Sequence, residues 1–81
     1  MCMKLVQDVS IGKNLKALRE RNHLTQEQAA AQLQVNGINV SREILSQMEN
    51  GRYNVRISAL LVMKSIYHVE SFDEFFSGLA R

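Results

Sequence analysis

The sequence predicts an all-α fold of five helices, and three observations carry that prediction. The chain has no proline and only four glycines, so little interrupts helical backbone. Apolar residues recur three and four apart along most of its length, while no segment alternates strongly between apolar and polar as a half-buried strand does. Thr25, Ser41 and Ser71 each stand directly before such a stretch, where an N-cap belongs. With 81 residues, 46% hydrophobic and 22% charged, the chain is one small domain with a single core and is not disordered.

Residues 1–9 read as an arm, because Leu5, Val6 and Val9 follow no clear period. The first helix is expected from Ser10 to Asn22. Ile11, Leu15 and Leu18 form its buried stripe, Lys13, Lys16, Glu20 and Arg21 are solvated, and Arg19 lies at the edge of the stripe, partly buried. The second helix runs from Gln26 to Gln34. Thr25 caps it, Gln28 completes a capping box, and Leu24 and Ala29 can staple across the cap. Its face of Ala29, Ala30 and Leu33 has little bulk, so another helix can approach closely. Residues 35–39, with Asn36-Gly37 inside, form a turn or loop, and Val35, Ile38 and Val40 are expected to dip into the edge of the core.

The third helix spans Arg42 to Asn50. Ser41 caps it, Val40 and Leu45 staple it, and Gly51 is the expected left-handed terminator. Leu45 and Met48 face inward with Ile44 beside them; Arg42, Glu43, Ser46, Gln47 and Asn50 point the other way. The fourth helix, Arg56 to His68, offers Ile57, Leu60, Leu61, Met63 or Lys64, and Ile66 or Tyr67 as a wide apolar face for the centre of the core. The fifth is short, Phe72 to about Ser77, with Ser71 as cap and Glu74 completing a second capping box. One or two of Phe72, Phe75 and Phe76 fill the core, and a third left exposed makes this end a candidate self-association surface.

Net charge is +2, but its distribution says more. Residues 1–69 hold nine Lys/Arg against five Asp/Glu, whereas residues 70–81 hold one against three. A basic body suits a polyanionic partner, with ordinary solvated charge as the plain alternative. The single Cys2 has no partner for an internal disulfide and reads as an incidental thiol. No apolar run is long enough to cross a bilayer and the start lacks a signal-peptide core, so a cytoplasmic protein with no membrane association is expected. His23 and His68 sit at helix ends, far apart in sequence, and no metal site is expected. No glycine-rich phosphate loop, paired ligands or nucleophile–base couple is present. The expectation is therefore a protein that is not an enzyme and needs no cofactor.

Several residues together carry a family resemblance. They are Leu18-Arg19 in the first helix, Leu24-Thr25-Gln26-Glu27-Gln28 opening the second and Val40-Ser41-Arg42 opening the third. Glu49-Asn50-Gly51-Arg52 and Ser71-Phe72-Asp73-Glu74-Phe75-Phe76 complete the set. In this order and spacing, residues 11–76 resemble the lambda-repressor-like Cro/cI (XRE) family. The resemblance implies a five-helix fold in which the second and third helices form a helix-turn-helix, and sequence-specific binding to double-stranded DNA, usually as a homodimer. Carried over by position, Arg42, Glu43, Ser46 and Gln47 are expected to read bases. Gln26 is expected at a phosphate, as are Asn50, Gly51, Arg52 and Tyr53, with Lys13 and Lys16 adding attraction. Arg19 and Glu49 are expected to form a structural ion pair.

The residue types suit those roles. Arg42 can donate twice to guanine, Glu43 can accept from cytosine N4 and Gln47 can pair with adenine. Tyr53 can equally stack on the core, and the outward face of the third helix can equally be an ordinary solvated surface. Residues 1–9 are left three roles: packing on the body, pairing with another chain or reaching along DNA. Two departures from the family stand out. The link between Leu33 and Ser41 is about five residues longer than the usual tight turn, which touches the angle of the third helix. Ala29 replaces the usual leucine and Val55 stands where proline is common, so Ile38 or Val35 is expected to compensate in the core.

The expectation is a transcriptional regulator, a repressor on a (pseudo)palindromic operator, with room for little beyond the reading unit and a separate regulatory protein as a further candidate partner. The alternative is a protein-interaction module of the same fold, antitoxin-like or regulator-binding, that uses the Phe72/Phe75/Phe76 end.

Overall fold

The computed structural model of the chain describes residues 11–77. The arm at residues 1–9, Cys2 within it and the helix start at Ser10 lie outside the described residues. Within them the chain forms α1 (Gly12–Arg21), α2 (Gln26–Val35), α3 (Arg42–Glu49) and α4 (Ile57–Ile66), followed by a 3-10 helix (Phe72–Phe76), and no strand. The fifth helix of the expectation is thus a 3-10 turn rather than an α-helix. Five residues are too few to offset the cost of an α-helical nucleus. The Ser71 hydroxyl accepts from Asp73 N–H at 3.2 Å and the Ser71 carbonyl from Glu74 N–H at 3.0 Å, the tight spacing of a 3-10 turn. The Glu74 carboxylate reaches one residue further back than a capping box requires, to Glu70 N–H at 3.1 Å.

The two central caps form as the sequence indicates. Thr25 Oγ1 accepts from Gln28 N–H at 3.0 Å while Gln28 Oε1 accepts from Thr25 N–H at 2.9 Å, so two otherwise unmet donors at the start of α2 are satisfied. Ser41 Oγ accepts from Ile44 N–H at 3.1 Å at the start of α3.

All four α-helices end in one way. A residue with positive φ follows each cap: His23 (58°), Gly37 (84°), Gly51 (75°) and His68 (53°). The next N–H then turns back to a carbonyl five residues earlier, Leu24 to Arg19, Ile38 to Leu33, Arg52 to Gln47 and Val69 to Lys64, at 2.8–3.2 Å. These are Schellman terminations. At three of them the residue that closes the turn is apolar and packs on the core: Leu24 and Ile38 partly, Val69 fully. At the end of α3 it is Arg52, which is exposed.

The core joins Ile11, Leu15 and Leu18 of the α1 segment, Ala29 and Leu33 of α2, Leu45 and Met48 of α3, Met63 and Tyr67 at α4, and Phe75 of the 3-10 helix. Helix α3 packs on both α1 and α2, α2 packs on α4, and α1 holds the 3-10 helix. Polar ties close this frame. Asn14 Nδ2 donates to the Phe75 and Ser77 carbonyls (2.9 and 2.8 Å), and Asn22 Nδ2 to those of Leu18 and Tyr67 (2.8 and 2.7 Å).

Helix α4 is rotated from the expected orientation. Ala59, Met63 and Tyr67, four residues apart, are its buried line, with Leu60 and Ile66 half-buried beside it. Ile57 is 63% and Leu61 56% exposed, so these two are not part of the core. The helix is apolar almost all round, and periodicity alone then fails to select a face. Val35 also departs from expectation, at 86% exposure. It is the last residue of α2, and at about 100° per residue it falls opposite Ala29 and Leu33. Ile38 and Val40 do pack inward, so the compensation for Ala29 comes from the link at Ile38 and not from Val35.

Candidate nucleic-acid interface

Helix α3 is pinned at both ends. At its start Ser41 caps it, and the Gln34 side chain donates to the Val40 carbonyl at 3.0 Å, tying the link to α2. At its end the main chain of Met48 and Glu49 lies directly against Gly12. A Cβ on Gly12 would sit 2.6 Å from the Met48 carbonyl oxygen and closer still to that of Glu49, so only glycine allows α1 to begin there. The approach sets the positive start of α1 beside the negative end of α3.

A buried ion pair strengthens the same junction. Arg19 Nε and Nη2 donate to the two carboxylate oxygens of Glu49 at 2.7 and 3.0 Å, and Arg19 Nη1 donates to the Leu24 carbonyl at 2.7 Å. The side chains are 9% and 2% exposed. Hydrogen bonding to Glu49 raises the Arg19 pKa above its ordinary value, against the opposing effect of burial. Gln26 Nε2 also donates to Glu49, at 3.0 Å. Its amide keeps a second N–H and its carbonyl for another partner.

With Leu45 and Met48 locked inside, the other side of α3 faces outward. Arg42, Glu43, Gln47 and Asn50 are exposed and Ser46 is half-buried. These five, together with Gln26 and Arg52, line one open depression. The structure thus brings the four expected base-reading residues together with three of the expected phosphate-binding ones. Gly51 supplies the left-handed turn between Asn50 and Arg52, and the Arg52 main chain is held by its own N–H on the Gln47 carbonyl at 2.8 Å. Tyr53 is 39% exposed and lines a different groove, with Ile38, Val40, Ile44 and Met48. Lys13 and Lys16 are exposed on α1 and do not line the depression; Lys13 follows Gly12 at the end of α1 that meets α3.

Sequence reasoning missed Gly12 and Tyr67 at this junction, and the bond that joins Gln26 to Glu49. Gly12 was signalled only as an isolated glycine inside a helical pattern. The bond from Gln26 to Glu49 joins distant stretches and has no local signature. The Tyr67 hydroxyl is buried without a hydrogen-bond partner among the described residues, and burial, then the neighbouring Glu49, pushes its pKa well above the usual phenol value.

Two short helices, joined by a loop and packed so that the second is held against the body with a polar face outward, define a helix-turn-helix. A family model described as a helix-turn-helix domain matches residues 10–74. The chain belongs to that family, and the match is consistent with the lambda-repressor-like (XRE) type; membership points to a DNA-binding regulator. No curated protein matches the chain, and no solved structure does. No helix among the described residues is long and apolar enough to cross a membrane.

Proposed function

We propose that the protein is a sequence-specific double-stranded DNA-binding transcriptional regulator of the cytoplasm, a repressor that sets α3 in the major groove and works as a homodimer without enzymatic activity or cofactor. The observation that carries this reading is the shared outward face of Arg42, Glu43, Ser46 and Gln47, continuous with Gln26, Asn50 and Arg52. A helix of this width fits the major groove, and its first residues reach base edges. The exposed Arg52, fixed on its turn, supplies phosphate attraction with no sequence information.

The test is selection from random duplexes followed by binding of variants. Arg42→Ala and Gln47→Ala each relax preference at one defined base position, worth about 1–3 kcal/mol of discrimination. Arg52→Ala weakens all duplexes alike and lowers the salt slope by about one. Variants at 42 and 47 with the parent's sequence preference would refute the reading assignment.

One observation favours a second reading, a protein-interaction module: Phe72 and Phe76 are 38% and 47% exposed, although Phe75 is fully buried and unavailable for contact. A parent protein that fails to bind any duplex at low salt decides for that reading.

A further inference from the structure

The rotation of α4 leaves an apolar line on the surface. Ile57 and Leu61 are one turn apart and lie on one side of the helix. Lys64 continues that side, and its ammonium stands 5.5 Å from the centre of the Phe72 ring. Ile57, Leu61 and Phe72 thereby form one stripe, bridged by the Lys64 stem, on the side of α4 away from the Ala59–Met63–Tyr67 line. The stripe has unlike ends. Arg56 stands at the Ile57 end; Glu70 and Asp73 stand at the Phe72 end. All three are exposed, and none has an ion-pair partner among the described residues.

We infer that this stripe is where a second copy of the chain docks, with two α4 helices antiparallel about a two-fold axis near Leu61. Arg56 at one end, two carboxylates that outnumber the Lys64 ammonium at the other and apolar side chains between make a patch complementary to itself under a two-fold rotation. Each Arg56 then meets the acidic end of the other copy, Ile57 meets the other Phe72, and the Leu61 side chains meet at the axis. Three partly exposed side chains fall well short of the ~800 Å² per partner of a standing complex. Pairing is therefore weak in free solution and becomes effective when adjacent half-sites hold two copies side by side. The inference deepens the DNA-binding reading by placing its dimer contact, and its DNA-free test is independent of that reading.

The experiment is sedimentation equilibrium without DNA, up to about 1 mM chain, with circular dichroism melts to verify folding. The parent dimerises; Leu61→Asp raises the dissociation constant at least tenfold. Asp73→Arg weakens pairing, and Arg56→Asp added to Asp73→Arg restores it. In a Cys2→Ser background, Leu61→Cys oxidises to a covalent dimer faster than Val35→Cys, which lies off the stripe. A parent that stays monomeric throughout, or a Leu61→Asp variant that pairs like the parent, overturns the proposal. A single half-site duplex separates the two readings. Binding it equally well by parent and Leu61→Asp supports both. A parent that dimerises as stated yet binds no duplex loses the DNA reading and keeps the interface.

Discussion

Replacing Arg19 with methionine isolates the contribution of the buried junction between α1 and α3. The substitution keeps an apolar stem of similar length but removes three hydrogen bonds, two to Glu49 and one to the Leu24 carbonyl. The Glu49 side chain, 2% exposed, then retains Gln26 as its only hydrogen-bonding side chain among the described residues. An uncompensated buried charge costs about 3–5 kcal/mol, against a total of roughly 4–12 kcal/mol for a chain of this size. The melting temperature should fall by roughly 15–30 °C. Urea titration followed by circular dichroism reads the loss directly. The double variant Arg19→Met with Glu49→Leu removes both charges, and most of the stability should return. Leu24 and Gln26 are only partly buried, so water can satisfy the groups left behind. A loss below about 1 kcal/mol in the single variant, or a double variant less stable than the single, refutes the reasoning.

Other substitutions probe separate features. Gly12→Ala forces a Cβ onto the Met48 and Glu49 carbonyls and should cost about 1–3 kcal/mol, displacing the 50–54 segment enough to weaken duplex binding; thermal melts and gel shifts check both. His23→Gly and His68→Gly relieve non-glycine residues at positive φ and should each stabilise by about 0.5–1 kcal/mol, visible as a higher urea midpoint. Because burial raises the Tyr67 pKa in the folded state, the folded form holds its proton more tightly. Its contribution to stability is whole below the unfolded value of about 10 and declines as pH rises beyond it. Tyr67→Phe should flatten that alkaline decline in pH-dependent unfolding.

The parts legible in the sequence are those governed by local rules. Thr25 with Gln28, Ser41 alone, and Asn50-Gly51 marked the ends of α2 and α3 because capping is decided within a few residues. Leu45 and Met48 against Arg42, Glu43 and Gln47 separated the two sides of α3 because the helix has one apolar side and one polar side. Where this contrast disappears, so does the prediction. In α4 only Ser58, Lys64 and Ser65 are polar, and the choice among several apolar sides was made by packing against α2. The histidines were placed at helix ends, but nothing local marks them as left-handed, since that position usually falls to glycine or asparagine. Gly12 is dictated by the main chain of Met48 and Glu49, more than thirty positions away, a constraint that no window along the sequence contains.

The side of α3 that faces solvent is built from residues the interior never uses. Arg42, Glu43 and Gln47 are exposed, and none of their side chains makes a hydrogen bond or ion pair among the described residues. Their replacement leaves the cap at Ser41, the inner Leu45 and Met48 and the clasp at Glu49 intact. On the DNA-binding reading proposed above, the scaffold and its recognition surface are thus separable. A library varied at these three positions should melt like its parent while its members select different duplexes, so new target preferences are open to this fold at almost no structural risk.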